Sequence, residues 1–90
     1  MITYNEDKRQ LNLKKHYLDF VGCDVVFAGV TLTREDISEN YGEMRFQTLG
    51  LWGDTVVFIV HTPRGEHEHI ISIRKAEKHE QRIYWQHYNG

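Results

Sequence analysis

Thr55-Val56-Val57-Phe58-Ile59-Val60 is a β-branched and aromatic run with no polar break after its first residue. So continuous an apolar run reads as a strand buried on both faces. At a sheet edge it would be open to pairing with other chains, so an interior position is expected. Thr62-Pro63-Arg64-Gly65 follows, with Pro and Gly as turn formers. His67 to Arg74 reads as the returning strand of an antiparallel hairpin. Strict alternation sends Glu68, Ile70, Ser72 and Arg74 to one side, and His67, His69, Ile71 and Ile73 to the other.

Working back from the hairpin, Gly50 to Asp54 is a turn carrying Trp52. Glu43 to Leu49 alternates as a strand and places Glu43, Arg45 and Gln47 on one face. Val30 to about Ile37 is a further strand, running into the polar loop Ser38–Gly42. Before it, Asp19 is placed to cap a helix through Phe20, Cys23, Val26 and Phe27, which Gly29 ends. Cys23 falls on that apolar face and reads as a core residue. Asn5 is a good N-cap for a helix from about Glu6 to Lys15, with Glu6 and Asp7 in the first turn where the helix dipole favours acids. Leu11 and Leu18 share a face if that helix runs on. Lys8, Asn12, Lys15 and His16 form a polar stripe, which reads equally as a solvated surface. Ile2-Thr3-Tyr4 can add a first strand, and Ala76 to about His87 a last helix. The expected architecture is α+β: a small, mostly antiparallel sheet with two N-terminal helices and a C-terminal helix.

Ninety residues make one domain, 1–90. A single cysteine rules out an internal disulfide and suits a reducing cytoplasm. The first residues lack the basic and apolar regions of a signal peptide, and no apolar run nears the ~20 residues that cross a bilayer. A net charge of −2 argues against bulk non-specific binding to nucleic acid and leaves room for a local basic site.

Several spaced elements carry a resemblance. Lys8, Asn12, Lys15-His16 and Phe20 match K-x-x-x-N-x-x-K-H-x-x-x-F, with Phe27 seven residues on. Gly42-Glu43-Met44-Arg45-Phe46 matches G-E-x-R-[FY], and Thr62-Pro63-Arg64-Gly65 matches T-x-R-G. Ile70-Ile71-Ser72, Arg74-Lys75-Ala76 and Glu80 with Tyr84 match I-I-S, R-K-A and E-x-x-x-Y. Together, over nearly the whole chain, they resemble the BrnT toxins of type II toxin–antitoxin systems. The resemblance implies a RelE-like fold, a metal-independent ribonuclease that arrests growth, no cofactor, and a BrnA-like antitoxin with a ribbon-helix-helix DNA-binding part. It departs at His69, where the family usually has Arg, at Ile73, where it has a small residue, and at Cys23, where it has Ala.

Metal-free cleavage of RNA uses the substrate's own 2′-hydroxyl as nucleophile. The protein supplies a base, fixed cations for the added phosphate charge, and a proton for the leaving oxygen. Arg64 and Arg74 are candidates for the phosphate, because the planar guanidinium grips phosphate oxygens and stays charged. Arg45 assists or positions the RNA. His16, beside Lys15, or Glu43 is the candidate base, and Tyr84 or a histidine the acid. Lys8, Asn12, His69, Ser72 and Lys75 are candidates for holding RNA. Each has a plainer reading: Glu43 and Arg45 as an ion pair, Arg74 paired with Glu77 or Glu80, Tyr84 packed in the core.

Two further functions are open. One is an interaction module of the same fold without catalysis. The other is a small metal-binding protein using His61, His67 and His69, since His-x-His on a strand points both rings to one side. In the toxin reading, an acidic antitoxin segment covers Arg64 and Arg74 near Trp52, Tyr84, Trp85 and Tyr88, and operator DNA is bound only through the antitoxin.

Overall fold

A computed structural model describes residues 1–89. The order is β1 (Ile2–Tyr4), α1 (Glu6–His16), α2 (Asp24–Ala28), β2 (Thr31–Glu35), β3 (Phe46–Trp52), β4 (Thr55–Arg64), β5 (His67–Lys75) and α3 (Lys78–Asn89). The strands form one sheet in the order β1-β5-β4-β3-β2, antiparallel except where β1 runs parallel to β5. The apolar run of β4 therefore lies in the interior, between β3 and β5. Among the described residues, no helix is long and apolar enough to cross a membrane.

Each face of the sheet carries its own core. Phe20, Cys23 and Val26 pack on Val57, Ile59, Ile70 and Ile73. On the other face Tyr84 of α3 and Ala76 join Leu49 and Val56. Burial of order 100 Å² per large side chain, at roughly 25 cal/mol per Å², makes these clusters the main source of cohesion. Burial pushes the Cys23 thiol up to about 12, so it stays protonated and inert.

Several expected boundaries move, each for a local reason. The second helix is only Asp24–Ala28. Asp19 accepts the backbone N–H of Val21 at 3.0 Å instead of capping a helix, and Gly22 turns the chain at φ +90°. Glu43 and Arg45 precede β3, which continues through the expected turn to Trp52 and reverses at Gly53-Asp54. Strand β4 runs through Pro63 to Arg64, and the hairpin turns at Gly65-Glu66, where Gly65 takes φ +62°. Pro63 is tolerated because the β3 ladder ends at His61, so no partner on that side needs its missing N–H.

α1 begins as the Asn5 cap predicts, its side chain accepting from Lys8 N at 3.1 Å. It ends at Tyr17, which takes a left-handed conformation, φ +60°. Leu11 does not join a leucine face but stands exposed, and the residue of α1 that is buried is Asn12. Its carboxamide donates to Leu18 O and Ile73 O and accepts Ile73 N–H at 3.0 Å. Because β1 pairs only with residues 68–70 of β5, this one side chain continues the hydrogen bonding along that edge.

Candidate functional site

β5 does not alternate strictly. Its register on β4 passes from Ser72 opposite Val60 to Ile70 opposite His61, leaving Ile71 without a partner. This bulge turns His69 onto the face of Ser72 and Arg74, which is also the face of Thr62 and Arg64 on β4. Ile70 and Ile73 both go to the opposite core. Alternation alone had set His69 apart from Ser72 and Arg74; the extra residue corrects that.

Around the hairpin end of this face, Glu43 sits between two arginines, 3.5 Å from Arg45 Nε and 3.8 Å from Arg64 Nη2. Arg45 lies over the Tyr41 ring at 3.9 Å. Thr62 Oγ1 donates to Met44 O at 2.5 Å and pins this segment to β4. His69 Nδ1 bonds Thr3 Oγ1 of β1 at 2.9 Å. Burial and the nearby Arg64 and Lys8 lower the proton affinity of His69, with Glu43 opposing.

Further along β5, Lys8, Lys15, His16, Ile71 and Ser72 line a hollow between α1 and the strand. α1 thus turns its polar stripe toward this site, with Leu11 and Lys14 lining the hollow as well. His16 is also held below its ordinary proton affinity, by burial first and then by Lys15 and Arg74. Arg45, Arg64, Lys8, Lys15 and Arg74 therefore form a cationic belt following β5, with both histidines inside it.

Arg74 closes the belt at α3. Its Nη1 and Nη2 donate to the two oxygens of Glu80 at 2.8 and 2.9 Å, and the guanidinium lies 4.1 Å from the Phe58 ring centre. Glu77 is also within 3.8 Å. The pairing of Arg74 with acids of the last helix is thus present, with Glu80 as the main partner. Glu80 Oε1 also accepts the Glu77 N–H at 2.7 Å, which caps α3. The Arg74 hydrogen bonds hold the Glu80 carboxyl below the usual range.

Other candidates lie elsewhere. Tyr84 is wholly buried, and its hydroxyl donates to Val30 O at 2.9 Å, so it packs α3 and does not reach the belt or the surface. Asn12 is occupied by backbone groups. Lys75 pairs with Val57 on the opposite face, where it shares a hollow with Tyr17, Trp52 and, at its border with the belt, His16. Trp85 and Tyr88 are exposed, whereas Trp52 packs partly against the core. His61 also lies on the far face, 2.6 Å from both Thr48 Oγ1 and Glu68 Oε1, with Phe27 edge-on. The sheet separates it from His67 and His69, and no group of three metal-ligating side chains gathers among the described residues. The three-histidine metal reading is overturned by this division of faces.

Sequence reasoning did not place Thr3, Tyr41, Phe58 or Glu80 in the site. For Glu80 a signal existed: Glu77 and Glu80 stand three apart just before a helical pattern, the spacing of a capping carboxylate. The other contacts depend on tertiary placement and leave no local trace.

Comparison with curated proteins yields no match. A family model described as "Ribonuclease toxin, BrnT, of type II toxin-antitoxin system" matches residues 4–80, a span holding the whole cationic belt. The chain belongs to the BrnT family of type II toxin–antitoxin ribonuclease toxins.

Proposed function

We propose that this chain is a single-domain, metal-independent endoribonuclease with a RelE-like fold, acting in the cytoplasm and arresting growth. The observation that carries the reading is the belt along β5. Two histidines of lowered proton affinity sit among Arg64, Lys8, Lys15 and Arg74 on one side of the sheet. A neutral imidazole at neutral pH can take a proton, and fixed cations favour a phosphate beside it. His16 is the base for the 2′-hydroxyl, with Glu43 as the other carboxylate in reach of the belt. Arg64 and Arg74 hold the phosphate. Arg45, Lys8, Lys15 and Ser72 position the strand. His69, once a bound phosphate raises its proton affinity, is the acid for the leaving oxygen in place of Tyr84. These groups supply base, charge and acid from the chain itself, so no metal ion is required.

The partner in this reading is a BrnA-like ribbon-helix-helix antitoxin. Acidic side chains of a segment folding over the open half of the sheet would meet Arg64 and Arg74. Operator DNA is contacted by the antitoxin, since the toxin's net charge is −2.

The test is cleavage of a labelled RNA by the purified chain, with and without chelator, beside growth curves on expression of wild type and Arg64→Ala. Chelator-insensitive cleavage and growth arrest are expected, with a loss of about 10²–10³ in rate for Arg64→Ala. A folded wild-type chain that neither cleaves RNA nor slows growth would favour the interaction-module reading. Cleavage abolished by chelator and restored by metal would overturn the mechanism.

A further inference from the structure

Glu80 takes part in no expected chemistry, yet it makes the strongest contacts to a cation of the belt. We infer that Glu80 is a positioning residue that aims Arg74 at the RNA phosphate, and does not hold it away from the RNA. The inference rests on the reading of Arg74 as a phosphate contact.

The argument is geometric. A guanidinium has five N–H donors in a rigid plane. Arg74 gives one from Nη1 and one from Nη2 to the oxygens of Glu80, and Nη1 also donates to Lys75 O at 3.2 Å. The Nε–H and the outer Nη2–H share one edge and make no hydrogen bond among the described residues. The exposed Glu77 carboxylate stands 3.8 Å from Nη2, beyond hydrogen-bond distance, and can swing aside. That edge is itself a fork suited to two phosphate oxygens. A phosphate can therefore bind without evicting Glu80.

Glu80 is in turn held fast. Its side chain is 12% exposed, and one oxygen is fixed by the N–H of Glu77 at the start of α3. Phe58 closes one flat side of the guanidinium. A flexible arginine is thus locked in a single orientation by a helix cap, which reduces the ordering that RNA binding has to impose.

The experiment measures kcat and KM for cleavage of a labelled RNA by wild type, Glu80→Gln, Arg74→Ala and the double variant. Glu80→Gln keeps an oxygen for the Glu77 N–H but turns an amide nitrogen toward the guanidinium, donor to donor. We expect kcat to fall about tenfold for Glu80→Gln with KM little changed, and no further fall when Glu80→Gln is added to Arg74→Ala. Should Glu80→Gln fail to fold, Phe58→Leu loosens the guanidinium from its flat side without touching the cap, and the same loss of kcat is expected. Multiplying losses in the double variant would overturn the inference, and so would tighter or faster action by Glu80→Gln, the mark of a competitor for Arg74. Full kcat in folded Arg74→Ala would instead remove Arg74 from the site, and the inference with it. Loss in Arg74→Ala with none in folded Glu80→Gln would overturn the positioning role alone.

Discussion

His69 and Ser72 share a face of β5 although they stand three positions apart in sequence, because Ile71 drops out of the ladder to β4. This puts His69, the position where the resemblance leads one to expect arginine, within the cationic belt. Burial and Arg64 lower its proton affinity, so at pH 7.5 it is neutral in the free protein. RNA binding should strengthen as pH falls from about 7.5 to 6 and further below, as His69 gains its proton. His69→Arg should bind at least as tightly at pH 7.5 and lose part of this dependence, His16 keeping its own share. Fluorescence anisotropy of labelled RNA across pH measures both. An unchanged profile in His69→Arg would place residue 69 away from the RNA.

Tyr84 is buried in the core, with its hydroxyl bonded to Val30 O. Tyr84→Phe keeps the ring in place and removes the hydrogen bond to Val30 O. Unfolding in urea should show a loss of about 1 kcal/mol, with RNA cleavage unchanged. A folded Tyr84→Phe without cleavage would restore the tyrosine as the acid.

Asn12 acts through the backbone of β5. Asn12→Ala strands the buried N–H and C=O of Ile73 and the C=O of Leu18. A loss of about 1–3 kcal/mol for each group left unsatisfied is expected. Any fall in RNA cleavage should follow the unfolded fraction in thermal melts. A cleavage defect in a variant as stable as wild type would return Asn12 to the RNA-binding set.

Gly50 marks where α2 meets the sheet. A Cβ there would stand 2.5 Å from Val26 Cγ1 and 3.3 Å from Thr31 Cγ2. Gly50→Ala should destabilise by about 1–3 kcal/mol through overpacking, and leave cleavage per folded molecule intact because the clash is on the face away from the belt. A neutral urea midpoint would mean that α2 shifts freely.

Acid should unfold the protein in two stages. The folded His16 and His69 bind protons more weakly than the unfolded chain, so stability begins to fall as pH drops below about 6.5. Glu80 and Asp19 are held low chiefly by Arg74 and Arg9, so their contribution is complete above about 4.5 and is lost as pH falls through their folded values. Urea midpoints against pH check this. Glu80→Gln should flatten the lower stage and spare the upper.

The legible parts of the fold are those with a local cause. Val56 to Val60 has nowhere to lie but inside, and Asn5 with its two following acids can only begin a helix. The parts that moved have tertiary causes. Gly22 and Asp19 divert a chain whose apolar spacing alone spells a longer helix. Pro63 looks like a turn until one sees that β3 has already ended beside it. At the site, the spacing of Lys8, Lys15, His16, Glu43, Arg45, Arg64 and Arg74 pointed to residues that do come close. The bulge at Ile71 was invisible, because Ile70, Ile71 and Ile73 offer three apolar residues for two inward places. That Tyr84 and Asn12 are buried and bonded to backbone was not legible, because a motif records which residues recur, not whether they face the surface or the core.

The parallel pairing of β1 with β5 has a consequence for how the protein is made. Ile2 lies opposite Glu68, so β1 has no partner in the sheet until β5 has been translated. α1 follows β1 directly and carries Lys8, Lys15 and His16, so these reach Arg64, His69 and Arg74 only at that same late moment. The cationic belt proposed to hold RNA is therefore assembled late in folding, when β1 and α1 dock on β5.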